Sequence, residues 1–325
     1  MKTAIRIILF AVVALLLIFF IAPFIIPINT SGIDPATLVT DPDGAFITLQ
    51  GVSVYYEDKG EIDAPVMLFI HGLFGSTETW RYNVDGFVAE GYRVVTFDRP
   101  GFGLSDKSNS FDYSVKNQVD LIDELMTQLD ILDAVIVGHS AGGNVAVQFA
   151  LTYPERVRYL ILVDAAILAG GPPSFVGSFL RFPPIWNWGR IGLQAVFTRQ
   201  RLEDTLKSFY VDPSFLTEAD YDAYWRAFQT PNWDIGLLGL TRDSAGNTLS
   251  ANLLEMVYPE TLIVWGDKDT VTPVADAERL ARLIPYAELV YIPNTGHQPF
   301  EEAPQAFNDA IVAYLENRVF YEVAP

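Results

Sequence analysis

From residue 7 to residue 28 no charged side chain interrupts an apolar run, and Lys2 and Arg6 precede it. About 20 such residues span a bilayer core as a helix. A surface helix would keep one polar face, and this stretch has none. The run is longer than the apolar part of a secretory signal, and Pro23 follows Ala22, the one small residue placed like a cleavage point. The pattern predicts an uncleaved signal anchor over 1–28. The positive charges lie before the span and the next is Lys59, which predicts a cytoplasmic N-terminus and a globular part across a membrane. Residues 29–44, with Asn29-Thr30-Ser31-Gly32 and two Asp-Pro steps, read as a linker.

Beyond residue 44 the period changes. Residues 45–49 and 52–56 read as an antiparallel hairpin turning at Gln50-Gly51. Continuous apolar runs follow at 66–70, 92–97, 135–137, 159–163, 261–265 and 288–292, as expected of strands buried on both faces. Between them, 114–129 repeats apolar residues at helical spacing behind Ser114 as N-cap, 145–150 continues as a helix, and 304–319 closes the chain as another. Strands alternating with helices predict an α/β fold, a mostly parallel sheet flanked by helices. Residues 167–258 break that rhythm with helical pieces crowded with aromatics such as Phe175, Phe179, Phe182, Trp188, Phe197, Phe209 and Phe228. They predict a helical lid inserted into a core made of 45–166 and 259–325. Most of its aromatics are expected to form the lid's own core, and a few to line an apolar pocket.

Composition narrows the function. A net charge of -19 argues against a nucleic-acid partner, which needs clustered Lys and Arg. With no cysteine, disulfides, thiolate nucleophiles, cysteine metal sites and an acylated N-terminal cysteine are excluded. Nothing in the sequence asks for a metal or a cofactor.

The chemistry centres on residues 135–150. Three β-branched residues lead into Gly138-His139-Ser140-Ala141-Gly142, and a helix follows. A serine on a sharp strand-to-helix turn is exposed for attack, and only small neighbours permit that backbone path. The helix start beneath it offers free N–H groups to an oxyanion. A serine hydroxyl needs a base oriented by a third group. Of the three histidines, His139 points away from its neighbour Ser140 and His71 reads as a structural loop residue. His297, on the loop between the last strand and the last helix, is the expected base. Asp164, Asp267 and Asp269 all preserve the order serine, acid, histidine, and the residues alone do not choose among them.

His71-Gly72, Asp98-Arg99-Pro100-Gly101-Phe102-Gly103-Leu104-Ser105, the Ser140 turn, Gly266-Asp267-Lys268-Asp269 and Gly296-His297 together resemble the α/β-hydrolase superfamily. The likeness is to its lidded branch of esterases, haloperoxidase-like enzymes and C–C bond hydrolases, and it covers roughly residues 46–315. The resemblance implies Asp269 as the acid, backbone N–H groups of Leu73 and Ala141 as an oxyanion hole, and no catalytic role for the Asp98 stretch. Related epoxide hydrolases and haloalkane dehalogenases place aspartate where this chain has Ser140, so those activities are not expected. The implied function is a membrane-anchored carboxylesterase or lipase cleaving small apolar acyl esters. A C–C bond hydrolase or cofactor-free perhydrolase would use the same triad, and a non-catalytic binding protein the same fold.

Overall fold

The computed structural model describes residues 2–168 and 171–322. Helix α1 (Lys2–Ile25) precedes strands β1 (Gly44–Leu49), β2 (Val52–Lys59) and β3 (Val66–Ile70), then α2 (Val84–Ala89), β4 (Arg93–Phe97), α3 (Val115–Gln128), β5 (Ala134–His139), α4 (Ala141–Thr152) and β6 (Val157–Val163). Helices α5 (Ser174–Leu180), α6 (Pro183–Val196), α7 (Arg199–Lys207), α8 (Glu218–Arg226), α9 (Asp234–Asp243) and α10 (Ala251–Leu254) come next. The chain ends with β7 (Thr261–Gly266), α11 (Val274–Leu283), β8 (Glu288–Ile292), α12 (Pro299–Glu302) and α13 (Pro304–Glu322).

The strands form one sheet in the order β1-β2-β4-β3-β5-β6-β7-β8. Gln50 and Gly51, both at positive φ, turn β1 into β2 with Leu49 opposite Val52, the twist that two-residue hairpins favour. β2 meets β4 antiparallel, and every pair from β4 to β8 is parallel. Parallel strands bring their C-terminal ends to one edge, where open α/β sheets bind ligands. Leu73, Arg99, Ser140, Asp164, Asp269 and His297 all follow strand ends at that edge.

Alternate residues along each strand serve opposite layers. Leu68, Ile70 and Ile136 join the core under α3, α4 and α11, while Met67, Phe69, Val135 and Val137 join the one under α2 and α13. Both layers are closed, which is why the strand runs show no polar alternation. α3 begins where its cap predicts: Asn117 N–H donates to Ser114 Oγ at 3.3 Å.

Between β6 and β7 the described residues are helical and carry a small core of their own, made of Leu202, Leu206, Tyr210, Tyr221 and Tyr224. A buried polar cluster ties it to the sheet. Arg81 donates to both oxygens of Glu301 (2.8 and 3.0 Å) and to Asp220 (2.8 Å), while Tyr210 and Tyr224 donate to Glu301 at 2.7 and 2.6 Å. Removing Glu301 leaves Arg81 only Asp220 as a counter-charge and leaves two buried hydroxyls without their acceptor. Glu301→Ala is therefore expected to cost about 3–5 kcal/mol, read as a lower midpoint in urea unfolding, with Glu301→Gln losing less.

On β2, Glu57 accepts from Tyr55 at 3.0 Å. Burial first, then the charge of Asp41, push its carboxyl up to about 7. A carboxyl raised in the fold binds more protons there than in the unfolded chain, so its contribution weakens as pH rises from about 4.3 to about 7. Glu57→Gln is expected to narrow the difference between the melting temperatures at pH 5 and pH 8. An unchanged difference would contradict this.

Candidate active site

Ser140 sits between β5 and α4 at φ 51°, ψ -120°, a strained conformation for a residue with a side chain. Its neighbours leave no space for larger ones. A Cβ on Gly142 would lie 2.3 Å from the Ile70 carbonyl oxygen, and one on Gly138 would lie 2.7 Å from Ala146 Cβ. The turn is pinned to the sheet: Ser140 N–H donates to Val163 O (3.0 Å), and Ser140 O accepts from Gly143 and Ala166 N–H (3.0 and 2.9 Å). The hydroxyl is thus lifted off the sheet's C-terminal edge.

His297 Nε2 lies 3.1 Å from Ser140 Oγ, and His297 Nδ1 lies 2.8 Å from Asp269 Oδ2. Asp269 also accepts from Val271 N–H (2.7 Å), from Thr272 N–H (3.1 Å) and from the Thr272 hydroxyl. With Nδ1 donating to a carboxylate, Nε2 is free to accept the serine proton. Burial raises the Asp269 carboxyl, but the hydrogen bond and charge of His297 outweigh it and hold it below its ordinary value. The structure brings Ser140, His297 and Asp269 into one hydrogen-bonded chain.

Asp164 stands against that chain. It, Asp269 and His297 each offer one donor atom within 4.8 Å of the others, atoms that a metal ion would use and that here face one another. Asp164 Oδ1 accepts from Gly266 N–H at 2.9 Å, and its Oδ2 is buried without a partner. Burial, then the charge of Asp269, push Asp164 well above the carboxylate range. Two adjacent carboxyls do not both ionise. Asp164 is therefore the protonated member and Asp269 the ionised one.

The remaining residues singled out in the sequence divide cleanly. Leu73 and Ala141 flank a cavity of 260 Å³ together with Val115, Val145, Ala166 and Leu240. His71 Nδ1 contacts Gly72 O at 2.7 Å, away from Ser140. His139 Nε2 contacts the carbonyl of His297 at 3.0 Å, beneath the serine. Burial lowers the pKa of both histidines well below the ordinary value, so both stay neutral. Asp267 accepts from Asn294 N–H at 2.7 Å and is not joined to His297. Asp98 accepts from Thr77 and Leu104 N–H, each at 2.6 Å. No aromatic of 167–258 is among the residues lining this cavity, while Phe209 of that segment packs edge-on to His297 at 5.7 Å. Phe197, Phe228 and Trp233 pack on one another and, through Phe197 and Phe228, on Phe74 of the loop after β3, and the cavity wall is aliphatic and polar.

Residues 65–304 match the family described as the alpha/beta hydrolase fold. The chain belongs to that family. Among relatives of this alpha/beta hydrolase, the 2-hydroxy-6-oxononadienedioate/2-hydroxy-6-oxononatrienedioate hydrolase of Burkholderia vietnamiensis is 31% identical over 280 residues, 81% of this chain and 90% of that protein. The sn-1-specific diacylglycerol lipase ABHD11 of Mus musculus is 28% identical over 275 residues, 79% of this chain and 82% of that one. The crystal structure of a membrane phospholipase A, a novel bacterial virulence factor, shares the fold with a TM-score of 0.71 at 21% identity, covering 98% of this chain and 99% of its own.

Three supports of this hydrolase's site have no local sequence signal. His297 N–H donates to the carbonyl of Phe209 at 2.7 Å, so the helical segment after β6 helps hold the histidine loop. Glu302 bridges the same two pieces, accepting from Gly296 N–H (2.5 Å) and Val211 N–H (2.8 Å). Thr272 cradles Asp269. The first two join pieces distant in sequence through backbone groups, and the third is a side-chain contact only three residues away that no motif records.

Proposed function

We propose that this alpha/beta hydrolase is a membrane-anchored serine hydrolase that cleaves small-molecule carboxylic esters with apolar acyl groups through an acyl-enzyme. The observation that carries the reading is the unbroken Ser140–His297–Asp269 chain beside a mainly aliphatic cavity. Ser140 Oγ attacks the ester carbonyl while His297 Nε2 takes its proton, and Asp269 stabilises the imidazolium. The N–H groups of Leu73 and Ala141 receive the oxyanion. Collapse expels the alcohol with the proton from His297, and water then repeats the sequence on the acyl group.

The membrane part rests on α1. Its segment Thr3–Ile25 is 23 residues long and almost wholly uncovered by protein, enough for a bilayer core. We read 1–28 as an anchor with a cytoplasmic N-terminus, 29–44 as a linker and 167–258 as a lid over the core of 45–166 and 259–325. Helix α6 meets the anchor: Trp188 Nε1 donates to Phe19 O at 2.9 Å, and Phe20 packs edge-on to Phe182 at 5.9 Å. Phe175 and Phe179 on α5 are more than half exposed on that segment, which supports a lid facing lipid and a lipid-like ester.

The test is hydrolysis of p-nitrophenyl esters from acetyl to palmitoyl by the full chain in detergent. Activity with a chain-length optimum is expected. Folded protein inert at every length would overturn the ester reading in favour of C–C bond hydrolysis, tested with a 2-hydroxy-6-oxo-dienoate of the kind named for the Burkholderia relative.

A further inference from the structure

Arg99 follows β4 and is 2% exposed. Its Nη1 donates to Gln118 Oε1 at 2.9 Å and its Nη2 to Gly72 O at 3.1 Å, while Nε is buried without a partner. Among the described residues no carboxylate pairs with it, and burial pulls it down only to about 10. It stays charged at neutral pH. A buried cation without a counter-charge is costly and asks for an explanation.

Gly72 O supplies one. The Arg99 N–H donates to His71 Nε2 at 3.0 Å, so His71 carries its proton on Nδ1 and donates it to Gly72 O at 2.7 Å. One carbonyl thus receives both a cation and an imidazole N–H. That carbonyl belongs to the peptide group whose N–H is that of Leu73, which flanks the cavity beside Ala141. Drawing electrons toward the oxygen makes the N–H at the other end a stronger donor. The loop does not need Arg99 merely to hold its place, because a Cβ on Gly72 would lie 2.9 Å from His139 Nδ1 and 3.0 Å from Ser140 Cβ, and the peptide is already wedged.

We propose that Arg99 is a positioning residue of the oxyanion site, its guanidinium, which lies over the Phe102 ring at 5.2 Å but has no carboxylate partner among the described residues, polarising the Gly72–Leu73 peptide so that the charge it lacks at rest is the oxyanion of the tetrahedral intermediate. This rests on the acyl-enzyme reading of Ser140. Arg99 itself lines the cavity, but that negative charge exists only along the reaction, so Arg99 acts on turnover more than on substrate binding.

The test compares the full-length protein with Arg99→Met, Arg99→Gln and Arg99→Lys on p-nitrophenyl butyrate. It also compares binding of a trifluoromethyl ketone, which forms a tetrahedral adduct, with binding of the matching methyl ketone. Arg99→Met is expected to lower kcat about tenfold or more, a part of the 10²–10³-fold effect of losing a whole donor, with KM nearly unchanged. Trifluoromethyl ketone affinity falls in step with kcat, methyl ketone affinity holds, and Arg99→Lys recovers part of the loss. Equal losses for both ketones, or a raised KM at constant kcat, would overturn the proposal. If Arg99→Met does not fold, Arg99→Gln, which keeps a neutral donor, carries the same comparison. Loss of adduct formation in Ser140→Ala keeps the two readings separate. A Ser140→Ala protein that binds the trifluoromethyl ketone as well as the wild type does overturns the acyl-enzyme reading, whereas unchanged Arg99 variants overturn only this inference.

Discussion

Ser140→Ala lowers kcat for a p-nitrophenyl ester by about 10⁶-fold, the scale seen when a triad nucleophile is removed, while KM and the melting temperature change little. The site explains both halves of that expectation. Ser140 Oγ is the hydroxyl that His297 Nε2 faces at 3.1 Å, and the hydroxyl on the other side of that ring, on Thr272, meets Nδ1 at 3.3 Å and is committed to Asp269 and the Asp164 carbonyl. Thr272 therefore cannot substitute for the serine. Alanine, by contrast, fits the turn: the bonds that pin it run through the Ser140 backbone, and the side chain fills no core. A fall of less than about a hundredfold, below even the effect of one oxyanion donor, would show that another group attacks.

Asp269→Asn is expected to lower kcat about 10⁴-fold near neutral pH, because an amide nitrogen facing His297 Nδ1 selects the wrong tautomer. The partner carboxyl makes this case distinctive. Asp164 is kept protonated by burial and then by the charge of Asp269. Removing that charge removes the second cause, so Asp164 ionises at lower pH than before. Residual activity of Asp269→Asn should therefore climb as pH rises, and adding Asp164→Asn should abolish the climb. Asp164→Asn alone leaves Asp269 ionised and costs far less. A pH profile identical in the single and double variants would refute the assignment of Asp164 as the protonated partner of Asp269.

The sequence made the parallel sheet legible because its central strands are closed on both faces and read as plain apolar runs, as at 66–70 and 261–265, which match β3 and β7. It made the Ser140 turn legible because glycine spacing is a direct record of crowding. Two core helices left little trace. α2 contributes only Val84 and Phe87 to the core over six residues, too short to show a period, and α11 buries Ala277 and Leu280, a weak apolar signal. Local sequence favoured no aspartate, since Asp164, Asp267 and Asp269 all follow strand ends. Geometry separates them by joining Asp269 to His297, leaving Asp164 as its neighbour and turning Asp267 to Asn294. Nothing local marks Arg99, because its contact with Gly72 crosses from one strand end to another.

The central claim is that Ser140 is the nucleophile, and mass spectrometry tests it most directly. The full-length protein in detergent is treated with a fluorophosphonate, and the modified peptide is mapped. One adduct per chain is expected, on Ser140, slowed severely by His297→Ala and lost on unfolding before treatment. Folded protein that takes up no label, or carries it on another residue, would contradict it.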